Sequence, residues 1–469
     1  MRGIAGPPPT FPHPLCVPPP PPQQPWLYPF NFAPAAPLPA DLHPLAHLHR
    51  CRMRCFSSSY KLDHSQQQMP AMAYLLTTPG STASWLTDMA TAAQRHGVAK
   101  QYGGHISSGF LHSVTLPNSN QARVSDDYIP GLTRPHNACT PGVDARTTSP
   151  QGNILLGRDT LYPWAVGLRP YKDAFFSGTQ NWSATTCFMS AKGPESTGYT
   201  KPEWWGLQEK YPELNVVVSS LTAGPIAPGD GAGDIDCQLV ARTCRADAVL
   251  LKPDHPQFII DPWWLGAAFG PVEGMAYPQG EVTQTSTCMP LDSRDASGAM
   301  GEVACWGFVL SAALTSPYTV TPESLDAAVG QGTGYAWSRR YGEPFGTSGA
   351  TAFRHYNATQ PLALALPVQT TATGGWGNYT YWRTAPTSCG GRGWTLLGEL
   401  EKIISMSPQR VTSIAAGSCD TATPSLKVSL VGAPGEQVRL TFLSPSAVLA
   451  QSVVRISANG RGTVVMPPK

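Results

Sequence analysis

The sequence predicts an α/β region built on parallel strands, followed by an antiparallel β-sandwich. From Phe56 to Tyr102 the chain reads strand, loop, helix, strand, the βαβ order of a parallel sheet. Beyond about residue 297 the apolar period drops to two, over short runs separated by Gly, Pro and Ser. With 45 Gly and 48 Pro in 469 residues, loops and short strands should outnumber long helices. The length suits two or three domains. The expected divisions are a Pro-rich disordered segment over 1–55, the α/β region over 56–297 and the sandwich over 298–469.

Residues 1–44 hold the homopolymer runs Pro7–Pro9 and Pro18–Pro22, which favour extended conformations and bury no core. His43, His47, His49, Cys51 and Cys55 follow, but their spacing matches no zinc frame, so a biased linker is the better reading. Phe56–Asp63 reads as a strand ending in Lys61-Leu62-Asp63. Ser84–Gly97 carries Trp85, Leu86, Met89, Ala92 and Ala93 at helical spacing, with Gly97 as C-cap. Val98–Tyr102 is the next strand, and Gly103-Gly104-His105 opens a loop. Leu155–Leu168 and Tyr171–Phe176 predict a further helix and strand. Pro212–Ser220 reads as a helix despite its β-branched run, with an apolar strand-like segment, Leu221–Ile226, after it. Asp230, Asp234 and Asp236 lack the spacing and terminal Glu of a calcium loop. Cys237–Arg245 is another helix candidate. Gly/Pro-rich loops are expected over 131–152 and 265–297. Later strands are expected at Val303–Leu314, Leu362–Pro367, Tyr379–Arg383, Leu426–Val431, Val438–Leu443 and Ala447–Ile456.

The charge balance excludes some partners. A formal charge of +2 with 13% charged residues carries no nucleic-acid or membrane-surface footprint, and no apolar run reaches the length of a membrane span. Neither a metal nor a cofactor is expected. Eleven cysteines leave at least one unpaired; Cys305, Cys389 and Cys419 are candidates to pair, with the connectivity open. Three sequons, at Asn181, Asn357 and Asn378, permit glycosylation on a secretory route, and Asn378 is expected to be exposed. No signal peptide is visible at the N-terminus, so the compartment stays open.

The chemistry concentrates in Gln121–Pro130. Ala122 and Val124 alternate with polar neighbours, as at the end of a buried strand, and Arg123 precedes Asp126 and Asp127 by three and four residues. At the C-terminal mouth of a parallel strand, an arginine can hold one carboxyl ionised while its neighbour keeps a proton. The competing reading is a surface turn, since Ser-Asp-Asp is ordinary loop chemistry.

Arg123-Val-Ser-Asp-Asp-Tyr-Ile-Pro130 matches the Arg-x-Ser-Asp-Asp-aromatic-x-Pro motif of the raffinose synthase branch of the raffinose synthase and α-galactosidase superfamily. Lys61-Leu62-Asp63 resembles the wider group's Lys-x-Asp on the fourth barrel strand, and Ala223–Asp230 its Gly-Asp segment near the last strand. Residues 303–325 and 394–412 look like the C-terminal sandwich of relatives of that branch. The resemblance implies a TIM-type (β/α)8 barrel and retaining chemistry on an α-galactoside or other oligosaccharide, hydrolytic or transferring. It assigns Asp63 as nucleophile and Asp126 or Asp127, with Asp126 favoured, as acid/base. Lys61 lies on the same strand face as Asp63; it would hold Asp63 ionised and contact sugar hydroxyls, and Arg123 would do likewise for whichever of Asp126 and Asp127 is not the acid. The two carboxyls should stand about 5 Å apart.

The family barrel has three βα units ahead of its Lys-x-Asp strand, where this chain is Pro-rich. The expectation is therefore an incomplete barrel holding the later strands only, inactive or very weak as it stands. A truncated gene model and a catalytically inactive carbohydrate-binding or scaffold protein are the alternatives. Trp204-Trp205 and Trp263-Trp264 could stack on sugars or pack internally, and His105 could reach the mouth or lie on the surface.

Overall fold

Four short strands, β1 (Ser59–Leu62), β2 (Ala99–Tyr102), β3 (Ser119–Arg123) and β4 (Arg169–Tyr171), lie side by side in chain order, each pairing parallel. The structure is a computed structural model describing residues 59–62, 69–103, 107–116, 118–126, 151–178, 209, 211–230, 233–269, 280–293, 303–314, 318–325, 334–340, 353–364, 379–417 and 424–467. The parallel order continues past β4, where Phe175 bridges Pro228 in the same sense. The sheet is open: among the described residues β1 pairs with β2 alone.

Helices cover this sheet for reasons visible in their sequences. Helix Ser81–Arg95 buries Leu86 and Ala90 at one-turn spacing, against Leu62, Tyr102, Ala122 and Leu168. It ends as expected. Gly97, at φ +66, donates to Gln94 O and Val98 to Ala93 O, the paired bonds of a left-handed glycine stop. The helix expected over Leu155–Leu168 is confined to Leu161–Ala165, between Gly157 and Gly167 and with Pro163 inside it. Helix Pro212–Leu221 forms as predicted, with Pro212 in its first turn, where a missing N–H costs nothing. Its residues from Leu214 to Leu221 are all buried, which overrides the low helix propensity of Val216–Val218. The strand expected over Leu221–Ile226 does not form: the helix runs through Leu221, and Ala223 turns the chain at φ +56. Cys237–Ala241 is a shorter helix than expected, capped by the Asp236 carboxylate on the N–H groups of Gln238 and Leu239.

The rest of the described chain is β-rich. β5 (Phe258–Ile259) precedes the helix Asp261–Phe269, and the long β6 (Glu281–Ser293) follows it. β6 occupies part of the 265–297 stretch expected as loops. Its polar Thr/Ser/Gln composition hides it, yet Val282–Thr287 are buried because neighbours flank it on both edges. The main sheet takes in β7 (Val303–Ala312), β9 (Gly334–Arg340), β10 (Phe353–Tyr356), β12 (Thr380–Pro386), β14 (Val411–Ala416), β15 (Leu426–Val431) and β18 (Arg461–Met466), in the order β10-β9-β12-β7-β6-β14-β15-β18, with β5 on β6. It is mixed rather than purely antiparallel, because β14 runs parallel to β6. β8 (Tyr318–Val320) pairs β11 (Leu362–Leu364), and β13 (Thr395–Gly398), β16 (Gln437–Leu443) and β17 (Leu449–Arg455) form a third sheet.

Alternation divides the main sheet into two faces. Trp306, Phe308, Leu310 and Tyr381 share a core with Leu396, Val438, Leu440 and Phe442, and that core also takes in Leu214–Leu221 of the helical region. Val309, Ala336 and Trp382 face Ile260, Trp263, Val320 and Leu362. Trp263 is thus a packing residue, edge-on to Tyr318 and donating to Gly280 O. Cys305 is joined to Cys288, directly opposite it in the β6–β7 register, rather than to Cys389 or Cys419. Cys389 is disulfide-bonded as well, and Cys419 lies outside the described residues. Among the described residues no helix is long and apolar enough to cross a membrane.

Candidate functional site

The C-terminal ends of β1, β3 and β4 carry the charged residues singled out in the sequence. Lys61 is exposed and pairs in register with Gln101; Leu62, the residue before Asp63, accepts from Gly103 N–H at 2.7 Å. Asp63 and Asp127 lie outside the described residues, as do His105, Trp204, Trp205 and the His43–Cys55 cluster.

Arg123 closes β3 opposite Tyr171, and its guanidinium stands 3.4 Å from the Asp173 carboxylate. Both side chains are largely buried. Ser125 ties the two strand exits together: its hydroxyl accepts from Asp173 N–H at 2.8 Å and donates to Asp126 O at 3.0 Å. Asp126 N–H donates to Gly152 O at 2.9 Å, which brings Gly152 against the carboxyl. A methyl group on Gly152 would stand 2.0 Å from Asp126 Oδ2, so only glycine leaves room there. Ser125 is therefore more than a surface-turn residue: it is buried and joins two strands.

A chain of acids runs from Asp126. Asp159 keeps part of its surface in solvent, yet burial first and the Asp126 charge second raise its carboxyl above the usual range, with Arg158 opposing. Glu281, at the start of β6, is pushed up to about 8, mainly by burial, with Arg158 opposing and Asp159 reinforcing. Gly157 makes room for it: a Cβ there would come 2.3 Å from Glu281 Oε1. Beyond β4, the buried Lys172 ammonium is lowered to about 8 by burial, against the pull of Asp173 and Glu209. Asp159, Asp173, Glu209 and Glu281 belong to no motif. Lys172-Asp173 falls inside the strand expected over Tyr171–Phe176, which ends instead at Tyr171, and Glu281 falls inside the loop expected over 265–297, so neither position marked a site residue.

Two other sequence features have structural work. Asp230 accepts from Ser177 N–H at 2.9 Å, Ser177 hydroxyl at 2.8 Å and Gly178 N–H at 3.3 Å, fastening the 228–230 segment beside β4. In the Ala-Gly-Pro-Ile stretch, Gly224 packs on β4, where a Cβ would lie 2.1 Å from Pro170 O. Among the described residues no group of three or more His, Cys, Asp or Glu side chains is placed to hold a metal ion.

The arrangement offers carboxyls in graded environments at the C-terminal edge of a parallel sheet, where acid and base roles can be separated. No family model matches the chain, and no curated protein matches it.

Proposed function

We propose that the chain is the later part of a (β/α)8-type catalytic barrel followed by a β-sandwich, acting on α-galactosides by double displacement with retention. The observation that carries this reading is Asp126, held beyond the end of β3 in a layer whose first strand ends on Lys61 and Leu62, the two residues that precede Asp63 in the sequence. Strand order supports it. The four parallel strands follow one another without reversal, as in a singly wound barrel, whereas a doubly wound sheet reverses at a switch point.

In this mechanism Asp63 attacks the anomeric carbon and forms a glycosyl-aspartate. Asp126, or Asp127 beside it, gives a proton to the leaving oxygen and then takes one from water or a sugar hydroxyl. Lys61 binds sugar hydroxyls and keeps Asp63 ionised. Arg123, paired with Asp173, fixes the exit of β3 and so the approach of the acid. The galactose specificity comes from the motif resemblance alone. A second reading, a carbohydrate-binding or scaffold protein without turnover, draws on that same Arg123–Asp173 pair, since a buried ion pair can serve a fold as well as a site.

The test is labelling with a galactose-configured cyclophellitol aziridine and peptide mapping, on the 469-residue chain and on one extended upstream by three βα units. An adduct on the Asp63 peptide, faint in the first and strong in the second, is expected. It should vanish in Asp63→Asn and form about 100-fold more slowly in Asp126→Asn, the scale of a lost general acid. An adduct elsewhere, or one that persists in Asp63→Asn, overturns the assignment. Galactose binding without any adduct supports the second reading.

A further inference from the structure

Of the three sequon asparagines, Asn357 lies among the described residues, while Asn181 and Asn378 do not. It occupies the turn between β10 and β11. Asn357 N–H donates to Gln360 O at 3.3 Å and Gln360 N–H returns to Asn357 O at 3.1 Å. The side-chain oxygen is held inside this turn. Oδ1 accepts from Thr359 N–H at 3.0 Å, from the Thr359 hydroxyl at 2.8 Å and from Gln360 N–H at 2.9 Å. With the oxygen accepting these bonds, the amide nitrogen is the remaining polar group of the side chain. Ala358, Thr359 and Gln360 are exposed, while Tyr356 and Leu362 on either side anchor the turn in the core. Asn357 itself is half-buried at the start of this exposed turn.

The cysteines supply an independent observation. Cys288 and Cys305 are joined across β6 and β7, and Cys237 and Cys389 are disulfide-bonded too; among the described cysteines only the buried Cys244 is a free thiol. Pairing on this scale persists in oxidising compartments and is rare where thiols are kept reduced. Asparagine glycosylation belongs to the same secretory environment.

We infer that Asn357 is an N-glycosylation site, its oligosaccharide acquired in the oxidising secretory compartment where the chain folds. The donor class is a polyprenyl-pyrophosphate-linked oligosaccharide. Nδ2 forms a bond to the anomeric carbon, and the anomeric C–O bond to the pyrophosphate breaks. The pyrophosphate leaves with that electron pair, and one amide proton passes to a base of the transferase. Nothing is oxidised or reduced. The inference is independent of the reaction proposed for the carboxylates.

The experiment takes the full chain from cells that express it naturally, separates secretory from cytosolic fractions and maps peptides after amidase deglycosylation in heavy-oxygen water. Expected are recovery from the secretory fraction and heavy-oxygen-labelled Asp at position 357 in most molecules. Thr359→Ala should lose the label. Asn357→Asp should lose it too while still secreted and folded, because a carboxylate keeps the acceptor of the turn. Thr359→Ser should retain it. Unmodified Asn357 in the secreted chain, or recovery from the cytosol alone, overturns the inference.

Discussion

Glu281 enters β6 with its carboxyl against Gly157, and burial keeps it protonated up to about pH 8. The unfolded chain releases that proton near the ordinary glutamate value of 4.5. Between these values the folded state binds more protons than the unfolded one, so stability falls as pH rises. The slope is about 1.4 kcal/mol per pH unit, and the loss is complete above the folded value. Lys172 acts in a different window. Its lowered value makes stability rise with pH between about 8 and 10.5, as do the similarly lowered Lys100 and Lys252. Glu281→Gln keeps the shape of the protonated acid. In urea unfolding at pH 5 and pH 7.5, the wild type should lose stability between the two and the variant should lose far less. Equal losses would show that the carboxyl is not held protonated. At this scale the motif singled out Asp126 and Arg123 as candidates. It did not reveal Glu281 or Asp159, because their significance comes from Gly157 and Asp126, which only folding brings near.

Arg410, buried in the turn before β14, holds three elements of the β-rich region together. Nε donates to Glu399 at 2.6 Å, while Nη1 donates to Glu436 at 3.0 Å and to Val431 O at 2.9 Å. Glu436 also accepts from Ala433 N–H and Ala246 N–H. Burial raises the Glu399 carboxyl despite the arginine, whereas Glu436 is lowered because its contacts with Arg410 outweigh burial. Arg410→Met strands two carboxylates in the interior and should cost about 3–5 kcal/mol by denaturant titration. A loss below about 1 kcal/mol would mean the pairs are solvated in solution. The elements themselves were more legible than these ties. Gly97 marked a helix end and Pro212 a helix start, because both act locally. β6 was missed because its burial comes from neighbours rather than from apolar side chains of its own.

The α/β and β-rich regions are joined through polar pins as well as a shared core. Lys402 Nζ donates to Ala241 O at 2.8 Å and Cys244 O at 2.7 Å, Ile403 N–H to Arg242 O at 3.0 Å, and Arg245 to Gln409 O at 2.7 Å. Residues 51–469 form one compact unit, and one core takes in Leu214–Leu221 of the α/β region together with the main sheet. Tryptophan fluorescence and far-ultraviolet circular dichroism should therefore trace one coincident thermal transition. Two separated transitions would show that the pins and core do not couple the regions.

The parallel pairing of Leu291 on β6 with Ile414 on β14 also has a kinetic side. During synthesis β6 and β7 emerge together and can close as a hairpin, but β14 leaves the ribosome only after every strand from β8 to β13. Until then one end of β6 presents open backbone amides and carbonyls to the cell. A nascent chain stalled within that interval would offer its aggregation-prone edge there, so chaperone capture during translation should centre on the Leu291 end of β6.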